Sequence, residues 1–152
     1  MTKLVTEEGL KNLKDELTKR KTEIRQKIAK AIKEAKEQGD LSENAEYSEA
    51  KRQQAENETR IAKLESMVKN FKVVKKSKNS MGVVEIGSSV SVKFNSKEMI
   101  FHIVGSSEAD PSSLKVSNES PIGRAFIGKK KGDVVKVETP GGVASYKILE
   151  VN

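Results

Sequence analysis

The sequence predicts an α+β protein: an N-terminal antiparallel coiled-coil helical hairpin over residues 1–75, then a small β-rich domain over 76–152 with one short helix. Three observations carry this. Ala, Glu, Lys, Leu and Arg fill 41 of the first 71 positions, above the roughly 50% that signals a long helix. Apolar residues there recur at steps of three, four and seven, whereas beyond residue 72 they alternate with polar ones. All three Pro, and every Gly except Gly9 and Gly39, follow residue 72.

The first helix takes Thr6 as its N-cap and carries Leu10, Leu13, Leu17, Ile24, Ile28, Ile32 and Ala35 along one seam. A second series, Tyr47, Ala50, Gln54, Asn57, Ile61, Leu64, Val68 and Phe71, alternates steps of three and four without a break. Between them Gly39 is suited to a left-handed C-terminal turn and Asp40 to capping the next helix, so the two helices fold back on each other. Thirty helical residues span about 45 Å. Gln54 and Asn57 occupy seam positions where apolar groups pack better, and polar seam residues commonly fix register at some cost in stability.

In the second half, Val90, Val92 and Phe94 alternate with polar residues. Residues 99–104, 133–138 and 144–151 complete the strands of a small antiparallel sheet. Ser120 followed by Pro121 starts a short helix through Ile127, and Thr139-Pro140-Gly141-Gly142 is a turn into the last strand.

Composition narrows the chemistry. With 152 residues, 35% hydrophobic against 34% charged, and a mean hydropathy of −0.60, there is no room for a large catalytic core. The absence of Cys and the single His exclude a Cys/His zinc site, a disulfide framework and a cysteine nucleophile. His102 has no second His or Cys beside it and reads as a packed or edge residue, and the serine pairs lack a partnered base. No apolar leader or span is present, so the expectation is a cytoplasmic protein that does not enter membranes. The net charge of +7 suits an anionic partner.

Charge is unevenly spread along the hairpin. From Lys11 to Lys36 there are ten Lys or Arg and four acids, whereas Glu37, Asp40, Glu43, Glu46 and Glu49 follow with no cation between them. An acidic tip, near residues 38–47, thus sits on a basic stem. Asp-Leu-Ser-Glu from Asp40 to Glu43 matches a capping box. The same two carboxylates, projecting from one turn, are also suited to part of a Mg²⁺ site, since magnesium is bound by one or two carboxylates plus waters and phosphates. Lys51 and Arg52 lie one turn beyond Tyr47, where cations can meet a nucleic-acid backbone or simply face solvent.

The run Gly39-Asp40-Leu41-Ser42-Glu43-Asn44-Ala45-Glu46-Tyr47 resembles the hairpin-tip signature of the bacterial Gre transcript-cleavage factors, in the GreA branch. Ser120-Pro121-Ile122-Gly123-Arg124-Ala125-Phe126-Ile127-Gly128-Lys129 and the turn at Thr139–Gly142 resemble that family's later segments in the same order. The resemblance implies an FKBP-like topology for the second domain and multi-subunit bacterial RNA polymerase as partner. It further implies that the hairpin enters the polymerase secondary channel and stimulates Mg²⁺-dependent cleavage of backtracked nascent RNA; the chain is expected to act as a monomer. Asp40 and Glu43 would be the catalytic acids, holding a Mg²⁺ shared with the polymerase and not bound stably by the free protein. Lys51 and Arg52 would contact the RNA 3′ segment, and Glu119, Ser120 and Pro121 the polymerase rim, although Ser120 and Pro121 also suit a plain helix start. On this reading the chain is no enzyme by itself. The alternatives are a non-cleaving secondary-channel inhibitor and a general nucleic-acid binder using the basic stem.

Overall fold

The computed structural model describes residues 3–40, 43–75 and 82–152. These form two compact units, Lys11–Asn70 and Met1–Leu10 together with Phe71–Asn152, so the start of the first helix packs with the β-rich half.

The helical unit runs through α1 (Glu7–Lys19), a π-helical turn (Arg20–Ile24), α2 (Arg25–Glu37) and, after the tip, α3 (Ala45–Asn70). Leu13, Ile28 and Ala35 are buried on one side of the hairpin and Ala50, Asn57, Ile61 and Leu64 on the other. These are members of the two heptad-like series, because steps of three and four keep one face of each helix toward its neighbour. At about 1.5 Å per residue the 26 residues of α3 extend about 39 Å.

The seam is polar at its middle. Asn57 is 3% exposed and exchanges two hydrogen bonds with Arg20: its Oδ1 accepts from the guanidinium at 3.1 Å and its Nδ2 donates to the Arg20 carbonyl at 3.2 Å. That carbonyl also accepts from the Arg25 N–H, five residues on, which is the wide turn of a π-helix. Glu16 accepts from Arg20 at 2.9 Å and from both Nε and Nη2 of Arg60 at 2.9 and 3.0 Å. The two guanidiniums, Arg60 foremost, hold its carboxyl down at about 2. Asn57 therefore fixes register across the hairpin, as its seam position implies. Gln54 accepts from Lys51 Nζ at 2.9 Å along its own helix, and among the described residues it makes no bond across the hairpin.

The second unit contains a five-stranded sheet of order β5-β4-β3-β7-β6, built from β3 (Ser89–Phe94), β4 (Lys97–Val104), β5 (Lys115–Ser117), β6 (Val134–Thr139) and β7 (Gly142–Val151). The expected antiparallel pairing holds for β3–β4, β3–β7 and β6–β7. Two features correct it. β5 joins β4 in parallel, and β1 (Leu4–Thr6) pairs in parallel with β2 (Lys72–Val74). Both additions are three-residue strands, too short for an alternating pattern to register in sequence.

Helix α4 (Pro121–Phe126) begins as expected, with Ser120 Oγ accepting from the Gly123 N–H at 3.1 Å and Pro121 in the first turn. Its Phe126 is fully buried in a core with Val90, Val92, Phe101, Ile103, Val135, Val137 and Ile148. Phe101, Phe126 and Tyr146 meet with centroids 5.7 to 5.8 Å apart. His102 pairs across strands, its Nδ1 3.0 Å from Ser89 Oγ.

The start of α1 is fastened to this unit. Thr6 Oγ1 accepts from the Gly9 N–H at 3.0 Å, the capping bond expected of it, and donates to Glu108. Glu108 Oε2 also accepts from the Thr6 and Gly105 N–H groups at 2.9 and 3.0 Å. A Cβ at Gly9 would lie 2.1 Å from Glu108 Oε1, so only glycine allows this approach. Among the described residues no helix is long and apolar enough to cross a membrane.

Candidate functional site

The hairpin tip is assembled from two helix ends. α2 closes with Gln38 as C-cap (φ −84°, ψ −2°), followed by Gly39 at φ +110°, the positive-φ turn that favours glycine. The Gln38 and Gly39 N–H groups donate back to the Ala35 and Lys36 carbonyls at 3.2 and 3.3 Å. Lys36 in the last turn of α2 and Glu46 in the first turn of α3 each complement the local helix dipole.

Asp40 and Glu43 are both exposed beside this junction, and Leu41 and Ser42 between them lie outside the described residues. The capping-box reading of Asp40 and Glu43 is corrected. Helix α3 begins at Ala45, and its cap is Asn44, whose Oδ1 accepts from the Tyr47 N–H at 3.0 Å. A carboxylate at residue 40 would be the cap only of a helix beginning next to it, so Glu43 precedes the first turn instead of closing it.

Asn44 does more than cap. Its Nδ2 donates to the Ala35 carbonyl at 2.8 Å, so a single amide satisfies an N–H at the start of α3 and a carbonyl at the end of α2. The preference of Asn for N-caps was visible in the sequence, but the reach to a residue nine positions earlier was not.

The cations near the tip differ in how they are compensated. Lys51 is exposed and its ammonium donates to the neutral Gln54. Arg52 is held between Glu49, at 2.5 to 2.9 Å, and Glu56. Glu49 is pulled down to about 2, with the Arg52 hydrogen bonds foremost, and Arg52 is raised in turn. Along the stem, Lys21 meets Glu65 at 3.0 Å and Arg25 meets Glu58 at 2.7 Å, while Lys14, Lys19, Lys27, Lys33 and Lys36 make no ion pair among the described residues.

In the other unit, Glu119 is exposed and lies 3.7 Å from Lys3. Ser120 is committed to α4, its Oγ donating to the Ser117 carbonyl at 2.7 Å while accepting from Gly123. Glu119, Ser120 and Pro121 are thus consecutive at the mouth of α4, and the tip residues Asp40, Glu43, Lys51 and Arg52 belong to the helical unit.

The donor set fits Mg²⁺ only in part. Asp40 and Glu43 offer the hard carboxylate oxygens that magnesium takes, but among the described residues no cluster of three Asp, Glu, His or Cys could hold a metal. Two carboxylates on an exposed tip need donors from elsewhere.

Residues 3–73 match the profile of the transcription elongation factor N-terminal domain, and residues 78–152 that of the GreA/GreB C-terminal domain. The chain is 51% identical over 150 residues to transcription elongation factor GreA of Clostridium novyi, covering 97% of this chain and 94% of that one. It is likewise 51% identical over 150 residues to GreA of Thermoanaerobacter pseudethanolicus, covering 97% and 96%. Among solved structures, GreA factor homolog 1 of Thermus thermophilus matches with 26% identity and a TM-score of 0.44, covering 100% of this chain and 99% of that one.

Proposed function

The chain belongs to the GreA/GreB family of transcription elongation factors, and from that premise we propose that it stimulates RNA polymerase to cleave its own backtracked transcript. The observation that carries the reading is the exposed pair Asp40 and Glu43, set between two helix ends at the tip of a hairpin. The chain catalyses nothing alone. It enters the secondary channel of the polymerase and presents the two carboxylates where the enzyme supplies the remaining ligands and the RNA phosphate.

When bound there, Mg²⁺ supplies a water of lowered pKa and neutralises charge on the phosphate under attack. Asp40 and Glu43 contribute oxygen ligands and orient the water by hydrogen bonding. Their position on a narrow two-helix tip suits a site already crowded by enzyme and RNA. Lys51, with no carboxylate partner among the described residues, is suited to a phosphate of the displaced RNA 3′ segment, and Arg52 reaches the same RNA by exchanging Glu49 or Glu56 for it. Glu119 and Pro121, exposed on either side of the half-buried Ser120, offer a surface to the polymerase rim.

The test is a halted, backtracked elongation complex carrying a 5′-labelled transcript. The wild-type protein shortens the RNA only with Mg²⁺ and polymerase present, and Asp40→Asn and Glu43→Gln bind the polymerase as before yet lose at least about 100-fold in cleavage rate. A wild-type protein that binds and does not cleave overturns the proposal and leaves channel inhibition. Salt-sensitive RNA binding without polymerase, indifferent to both substitutions, leaves a general nucleic-acid binder.

A further inference from the structure

We propose that Asn44 is a positioning residue for the tip carboxylates, clasping the two helix ends so that Asp40 and Glu43 are held in place before the polymerase is met. The inference rests on the role proposed above for those two acids.

The clasp is specific to an amide. Oδ1 faces the Tyr47 N–H, a donor, and Nδ2 faces the Ala35 carbonyl, an acceptor, so neither contact survives exchange of the two atoms. Aspartate can cap α3 but cannot donate to a carbonyl, and would turn a second oxygen toward it. Serine caps equally well but is too short to span the junction. The Ala35 carbonyl has two lone pairs and accepts from the Gln38 N–H at 3.2 Å as well, so Asn44 occupies the site a continued helix would have filled.

Gly39 and Asn44, on either side of the two carboxylates, are therefore both tied to the last turn of α2, through the Lys36 and Ala35 carbonyls. Gly39, at φ +110°, is the reversal after α2, and the clasp restrains the conformational freedom that a residue without a side chain leaves there. A catalytic ligand displaced by about 1 Å can lose a hundredfold in rate, so small loop movements matter at Asp40 and Glu43. One hydrogen bond of ordinary net strength shifts the clasped population about fivefold.

The experiment compares wild type, Asn44→Asp and Asn44→Ser, both of which keep the helix cap. In the backtracked complex at saturating factor, both variants cleave about five- to tenfold more slowly and need about fivefold more Mg²⁺ for half-maximal rate. Their affinity for polymerase stays within about twofold, because the rest of the chain is untouched. Asn44→Asp also adds a carboxylate near the tip, so agreement between the two variants separates loss of the clasp from added charge. Backbone ¹⁵N relaxation on the free proteins gives an independent readout. The amides of Asp40 and Glu43 become more mobile in both variants, while Tyr47 keeps its protection from exchange. Wild-type cleavage with unchanged rate and Mg²⁺ dependence in both variants overturns the inference. If the wild type does not cleave, the proposed function fails; unchanged mobility of Asp40 and Glu43 then refutes the clasp on its own.

Discussion

Neutralising Glu16 should weaken the hairpin in a pH-dependent way. Its carboxylate receives three charge-assisted hydrogen bonds, one from Arg20 a turn along the same helical run and two from Arg60 across the hairpin, and is held at about 2 instead of 4.5. A shift of that size represents about 3 kcal/mol at neutral pH before screening. The side chain is 32% exposed, and solvent screening reduces this to about 1–2 kcal/mol. Glu16→Gln keeps the shape and leaves both guanidiniums without their counter-charge. For a chain of this length the loss lowers the melting temperature by about 3–6 °C at pH 7. The folded carboxyl is depressed, so its stabilisation is fully present above about 4.5 and fades as pH falls through about 2. Thermal melts followed by far-UV circular dichroism at pH 7, 4 and 2.5 check this. The gap between wild type and variant is constant down to about pH 5 and narrows below it. A gap that is absent at pH 7, or equally wide at pH 2.5, refutes the electrostatic account of the Glu16 layer.

Two further outcomes follow from contacts elsewhere. Gly9→Ala places a methyl 2.1 Å from Glu108 Oε1, so the usual gain of alanine over glycine in a helix is reversed. Displacing Glu108 from Thr6 costs about 1–2 kcal/mol, seen in denaturant unfolding as a lower midpoint, and an unchanged or higher midpoint contradicts the close packing described. Glu49→Gln takes one of two carboxylates from Arg52 and so frees its guanidinium in part. Engagement of the RNA 3′ segment, measured as the salt concentration that halves cleavage in the backtracked complex, then strengthens by about twofold, and a weaker response counts against RNA contact at that cation.

Much of the hairpin was legible because its signals are local. Leu13, Ile28, Ala35, Ile61 and Leu64 are buried where a step of three or four puts them, and Thr6 and Ser120 cap the helices that follow them. The tip was read less well. Asp40-Leu41-Ser42-Glu43 satisfies a capping pattern, yet Asn44 is the cap, because only its amide reaches both Tyr47 and Ala35. Pattern rules score one helix end at a time and cannot see an acceptor on the helix before.

The sequence by itself determined the two kinds of local structure, the seam, the change of period near residue 72 and the acidic tip on a basic stem. Each follows from the spacing of side chains along one helix or strand. Tertiary structure decided what joins distant positions. It set Glu108 against Thr6 across 102 residues, placed Arg20 and Arg60 on Glu16, paired β4 with β5 in parallel, and drew residues up to Leu10 into the β-rich unit. Such contacts depend on how whole elements pack, and a hydrogen bond between residues far apart in the chain has no period for a sequence to display.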